Sequence, residues 1–165
     1  MAATTTKFVS NEEVSAFLEA ALNGDTVEVS TMLNRKWYLV DAPSENDETA
    51  LMLATWNGNV ETVCMLCQHN ASTFATNEDD ENVFDQVCEN DTKRKQLEQV
   101  LQQARNEEID SWNFVDYASA RVQYKKDPEN DGVWCTYKSV FGCDIEESEY
   151  TDDEMTRSGY EMLTC

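Results

Sequence analysis

The chain repeats itself at an interval of 34 residues. A period of that size limits it to folds that stack small units, because no single unit can bury its own apolar face. The segment from Phe17 to Asp25 reads FLEAALNGD, and the segment from Leu51 to Asn59 reads LMLATWNGN. Gly24 thus recurs as Gly58, and the same step takes Val29 to Val63, Met32 to Leu66 and Leu33 to Cys67. A weaker third copy runs from Val83 and Phe84 through Val87 to Leu97, Val100 and Leu101.

Each copy has the spacing of a short helix, a tight turn and a second helix. Thr49 can start the first helix of the second copy, because its hydroxyl can accept from an amide with no helical partner. Leu51 and Ala54 then share one face. Gly58 or its neighbour supplies the positive φ that reverses the chain. Val60, Val63, Leu66 and Cys67 form the stripe of the second helix, and Asn70 stands where that helix should end. The spacing predicts helix pairs from Asn11 to Ala104, with Ala20, Ala54, Val63 and Leu66 buried.

The run from Glu48 to Val63, with Thr49, Leu51, Ala54 and Gly58 at their expected places, resembles an ankyrin repeat. Ala50, Met52 and Asn59 depart from the usual Pro, His and His. The second copy matches well and the first less so. The third has Asp91 where Gly is expected and needs an extra residue to align its second helix. An end unit faces solvent on one side, so divergence there has a physical reason. The resemblance covers about residues 11–104. It implies a mainly α, ankyrin-type helical repeat stack of about three units, protein partners and no catalytic site.

Charge narrows the partner. Thirty-three acidic residues against twelve basic ones give a formal net charge of −21 at pH 7. That field repels nucleic-acid phosphates and anionic membranes and attracts basic segments. No stretch has the roughly 20 apolar residues of a membrane helix. Residues 1–10 form an N-terminal arm without an apolar signal core. Among six cysteines, Cys64 and Cys67 make a C-x-x-C, but no second pair completes a zinc site, and the surrounding pattern is helical. The expectation is reduced, metal-free thiols in an intracellular setting, cytoplasmic or nuclear, with organelle import left open. No cofactor is implied. His69, the only histidine, has no nucleophile or base beside it in the sequence pattern.

The repeat pattern stops after Ala104. Residues 105–143 form an extension that begins with a charged junction. The stretch from Trp112 to Tyr124 fits either a strand or a helix stripe. The turn from Asp127 to Gly132, followed by the β-branched and aromatic run from Val133 to Gly142, favours a β-hairpin. A lone hairpin is marginal in water, so it is expected to pack on the last helices or on a partner. Residues 144–165 are an acidic tail.

Two inter-repeat turns are acidic, one with Asp41, Glu45, Asp47 and Glu48 and the other with Glu78, Asp79, Asp80 and Glu81. In an ankyrin-like stack such turns project together, which would make one negative ridge. Trp56 is expected beside that ridge as an exposed anchor, with Met52 contributing to the same partner-facing surface. The function expected is a non-catalytic protein–protein interaction module that binds a basic partner or docks as an accessory subunit. The other reading is an acidic nucleic-acid mimic that inhibits a nucleic-acid-binding protein.

Overall fold

The computed structural model describes residues 3–112 and 122–139. The chain opens with strand β1 (Ala3–Ser10), followed by α1 (Asn11–Asn23) and α2 (Thr26–Arg35). A 3-10 turn at Trp37–Leu39 precedes α3 (Ala50–Trp56) and α4 (Val60–Gln68). The long α5 (Asp91–Trp112) and strands β2 (Gln123–Asp127) and β3 (Gly132–Ser139) complete it.

Local chemistry accounts for the helix boundaries. Ser10 and Glu13 form a reciprocal capping box at the start of α1, and Thr49 Oγ1 accepts from Met52 N at the start of α3. Gly24 and Gly58 close the helix-to-helix turns with φ of 75° and 74°. At Gly24 an added Cβ would also lie 2.8 Å from Asn59 Cγ, so the site excludes a side chain twice over. Asn59 uses that closeness. Its Nδ2 donates to the carbonyls of Ala21 (3.2 Å) and Leu22 (2.7 Å), which ties the second turn to the C-terminal end of α1. Asn57 Nδ2 reaches the same Leu22 carbonyl at 2.7 Å. Asn70 stands past the end of α4 at φ 62°, as its residue type suggested.

First helices lie against first helices and second against second: α1 packs on α3, α2 on α4, and α4 on α5. Phe17, Leu33, Leu51, Val63, Leu66, Leu97 and Leu101 fill the interior. Ala20, Ala54, Val63 and Leu66 are all buried.

Two expectations about the repeats need correction. The third unit is not a helix pair. The residues aligned with α3, from Val83 to Cys88, form turns, and only the second helix, α5, is present. Asn82 Oδ1 accepts from Phe84 N (2.8 Å) while Asn82 N donates to Asp85 Oδ2 (2.9 Å), and this local bonding replaces helical hydrogen bonds. Nor is the segment after Ala104 a separate junction, because α5 continues through it to Trp112.

The N-terminal arm, to which the sequence pattern assigned no secondary structure, forms strand β1. β1 pairs antiparallel with β3, and β3 with β2, giving the order β1-β3-β2 with β3 central. The expected hairpin is present, and the arm gives it the third strand it needs. Its inner face buries Val9, Val133 and Cys135, while Phe8 and Trp134 meet edge-to-face on the outer face at 5.1 Å. The sheet packs on the first helices, not the last. Tyr137 stacks on Tyr38 at 5.6 Å and meets Trp37 at 4.7 Å. Tyr124 Oη donates to the Tyr38 carbonyl at 2.6 Å. The two readings of Trp112–Tyr124 fall largely outside the described residues, and the acidic tail does so entirely.

Candidate functional site

The two acidic turns are copies in their hydrogen bonding as well as their charge. In the first, Ser44 N donates to the Glu48 carbonyl (2.9 Å) and Asp47 N to the Ser44 carbonyl (3.1 Å). In the second, Asn77 N donates to the Glu81 carbonyl (2.9 Å) and Asp80 N to the Asn77 carbonyl (3.1 Å). Ser44 Oγ accepts from Asn46 N and Glu48 N, and Asn77 Oδ1 accepts from Asp79 N and Glu81 N. Asp47 and Asp80 hold the left-handed position at φ 61° and 60°. Aspartate tolerates that region better than most residues, which explains an acid at the tip of each turn.

The turns also touch. Glu78 N donates to the Asn46 carbonyl at 3.0 Å, so the two tips sit side by side. Asp47, Glu78, Asp79 and Asp80 are exposed, and Glu48 and Glu81 are half-buried. The Glu81 carboxylate accepts from Asn77 Nδ2 and Gln86 Nε2. Asp47 is not bare: Lys126 Nζ from β2 lies 2.6 Å from Asp47 Oδ1 and donates to the Glu45 carbonyl at 2.9 Å.

The structure separates the remaining expected site residues from these turns. Met52 is 2% exposed and belongs to the core, so it cannot touch a partner; its place one turn into α3 points it at the packed interior. Trp56 is 60% exposed but stands at the far end of α3. A seven-residue helix puts it about 10 Å from the turn that precedes α3, not beside it. Trp37 and Tyr38 pack with each other and with Tyr137.

At Cys67, Cys135 and His69 burial disfavours the charged form. Burial pushes the Cys67 thiol up to about 12, with the neighbouring Cys64 adding to it. Burial likewise raises Cys135 to about 11. A nucleophilic or metal-binding thiol needs the opposite shift. No group of three His, Cys, Asp or Glu among the described residues could hold a metal ion. Burial lowers His69 to about 4, which keeps it neutral near pH 7.

One cluster escaped the sequence reading. Glu108 of α5 is 9% exposed, and its carboxylate accepts from Ser72 Oγ (2.9 Å), Thr73 N (2.9 Å) and Thr73 Oγ1 (2.7 Å). Arg105 Nη2 donates to the Thr73 carbonyl at 2.6 Å, and its guanidinium stacks on Phe74 and Phe84. Ser72 N in turn donates to Asp41 Oδ1. The loop after α4 is therefore bolted to α5. Nothing in the sequence distinguishes Glu108 from its many acidic neighbours except an i, i+4 step from Ala104 on the buried side.

No helix among the described residues is long and apolar enough to cross a membrane. Residues 46–78 match the family model described as ankyrin repeat. No curated protein and no solved structure matches the chain.

Proposed function

Taking the ankyrin repeat at residues 46–78 as the premise, we propose that this chain is a non-catalytic interaction module that takes a basic protein segment along its two acidic turns. The observation that carries the reading is the bond from Glu78 N to the Asn46 carbonyl, which joins two like-charged tips into one ridge. Packing like charges together costs folding free energy, and an opposite charge on a partner recovers it. The proposed contact residues are Asp47, Glu48, Glu78, Asp79, Asp80, Glu81 and, at the other end of α3, Trp56. A separation of about 10 Å is spanned by roughly three extended residues, so one short segment can reach both ends.

Phosphate mimicry fits less well. A mimic presents evenly spaced carboxylates, whereas these charges cluster on two adjacent tips and one of them is already paired with Lys126.

The test is binding kinetics against captured partner at several ionic strengths. Glu78→Lys and Asp79→Lys with Asp80→Asn should slow association and flatten its salt dependence. Asn at position 80 preserves the left-handed backbone. Trp56→Ala should instead speed dissociation, by about 2 kcal/mol if the indole is a hot spot. If both variants bind like the parent, the ridge is not the interface.

A further inference from the structure

The two edges of the sheet are built differently. β3 is central, so β1 and β2 each turn one edge away from it. In an antiparallel ladder every second residue directs its amide and carbonyl at the partner strand, and the residues between direct theirs outward. Such an outward row on a long strand accepts another strand unless something blocks it. On β2 the block is present. That strand has five residues, Lys125 and Lys126 are exposed on it, and Lys126 is tied to Asp47 of the first turn at 2.6 Å. β1 has none of these devices. It has eight residues and no proline, and its register with β3 runs unbroken from Ala3↔Ser139 to Ser10↔Gly132, so no bulge twists the edge away. Among the described residues no strand pairs with that edge.

Charge and side-chain pattern select what fits there. None of the thirty-three acidic residues lies in residues 1–10, and Lys7 is the one base. The run Thr4-Thr5-Thr6 is self-complementary. Laid antiparallel on its own copy, it sets Thr4 opposite Thr6 and Lys7 opposite Ala3, which keeps the two lysines apart. Threonine pairs across strands are favourable, and one already forms inside the sheet, where Thr6 Oγ1 and Thr136 Oγ1 are 3.2 Å apart. We propose that the outer edge of β1 pairs antiparallel with β1 of a second copy of this chain, giving a symmetric dimer with one sheet built from three strands of each chain. A single strand edge buries less than a standard interface, so the association is weak and reversible. Each chain carries −21, so the copies repel elsewhere and salt strengthens the dimer by screening. A basic segment on the acidic ridge has the opposite salt dependence, so the two readings stand or fall separately.

The experiment is sedimentation equilibrium of the full chain in about 0.05 M and about 0.5 M NaCl, joined to amide exchange by NMR at low and high protein concentration. The association constant should rise by about tenfold in the higher salt. Every second amide of β1 should gain protection as concentration rises, while the amides that face β3 stay protected throughout. Thr4 and Thr6 are exposed, and Thr4→Glu with Thr6→Glu sets carboxylates opposite each other across the two chains. That variant should remain a monomer, with the amides facing β3 reporting that the sheet is folded. The mass of a single chain in every condition overturns the proposal. So does a dimer that the variant leaves intact. Outward amides of β1 that are protected at every concentration overturn it as well, because the edge is then filled within one chain.

Discussion

The second and third repeat units begin with the same turn and end differently. Ser44–Glu48 and Asn77–Glu81 have matching hydrogen bonds, yet the first leads into α3 and the second into non-helical turns from Val83 to Cys88. The turn is a local device. It needs one side-chain acceptor at its start and one residue that tolerates positive φ, and both copies have these. A seven-residue helix is too short to hold itself, so its stability must come from packing. Ala50, Leu51, Met52 and Ala54 are all buried between neighbouring helices. In the third unit Asp85 and Gln86 stand where α3 has Met52 and Leu53, and no later unit among the described residues covers them. The end of the molecule is closed by a long α5 and its buried Glu108.

If packing maintains α3, truncating its core should cost far more than truncating its counterpart. Leu51→Ala should lose about 3 kcal/mol, the usual range for a leucine with no exposure. Phe84→Ala, at the aligned and half-buried position, should lose about 1 kcal/mol, mostly its contact with Arg105. Urea midpoints at constant m-value decide it, and equal losses would show that the third unit is as tightly packed as the second.

The next test concerns the bolt that stands in for the missing helix. Glu108→Ala leaves the Thr73 amide and two hydroxyls without their acceptor, at a cost of about 2 kcal/mol. Hydrogen exchange should quicken first at residues 72–74 and in the C-terminal half of α5, while α1 and α3 stay protected. Uniform loss of protection across the molecule would mean that the two ends do not behave differently.

The smallest effect separates the units by pH. His69 ends α4 in the second unit, and the aligned position in the third is Gln103, well inside α5. Burial places His69 near 4 in the folded chain against 6.5 for a free imidazole. Between those values the unfolded chain binds the extra proton, so stability is full above pH 6.5 and falls as pH drops toward 4. Those two values alone imply a loss of about 1.6 kcal/mol between pH 6.5 and 5, and solvent screening of the half-buried ring reduces it to about 1 kcal/mol. His69→Gln should flatten thermal stability over that interval. An unchanged slope would assign the acid sensitivity to carboxylates.

Much of this molecule is written locally. The 34-residue step, Thr49 as a cap, positive φ at Gly24, Gly58 and Asn70, and the buried face of Ala54, Val63 and Leu66 all follow from periodicity and residue type. The hairpin around Asp127 to Gly132 was legible for the same reason, since turn formers sit between β-branched and aromatic runs. Each of these is decided within a few residues of chain, where side-chain chemistry and backbone sterics act alone. Other features depend on what lies across the fold. Pairing of β1 with β3 joins residues more than a hundred positions apart, and no local pattern in Thr4–Thr6 names that partner. Burial of Met52 and of Glu108, the failure of the third unit's first helix, and the placement of Lys126 on Asp47 are also long-range outcomes. Sequence determined which segments could be helix, turn or strand. Tertiary packing decided which of them were stabilised, because desolvation and ion pairing depend on neighbours that the chain supplies only once it has folded.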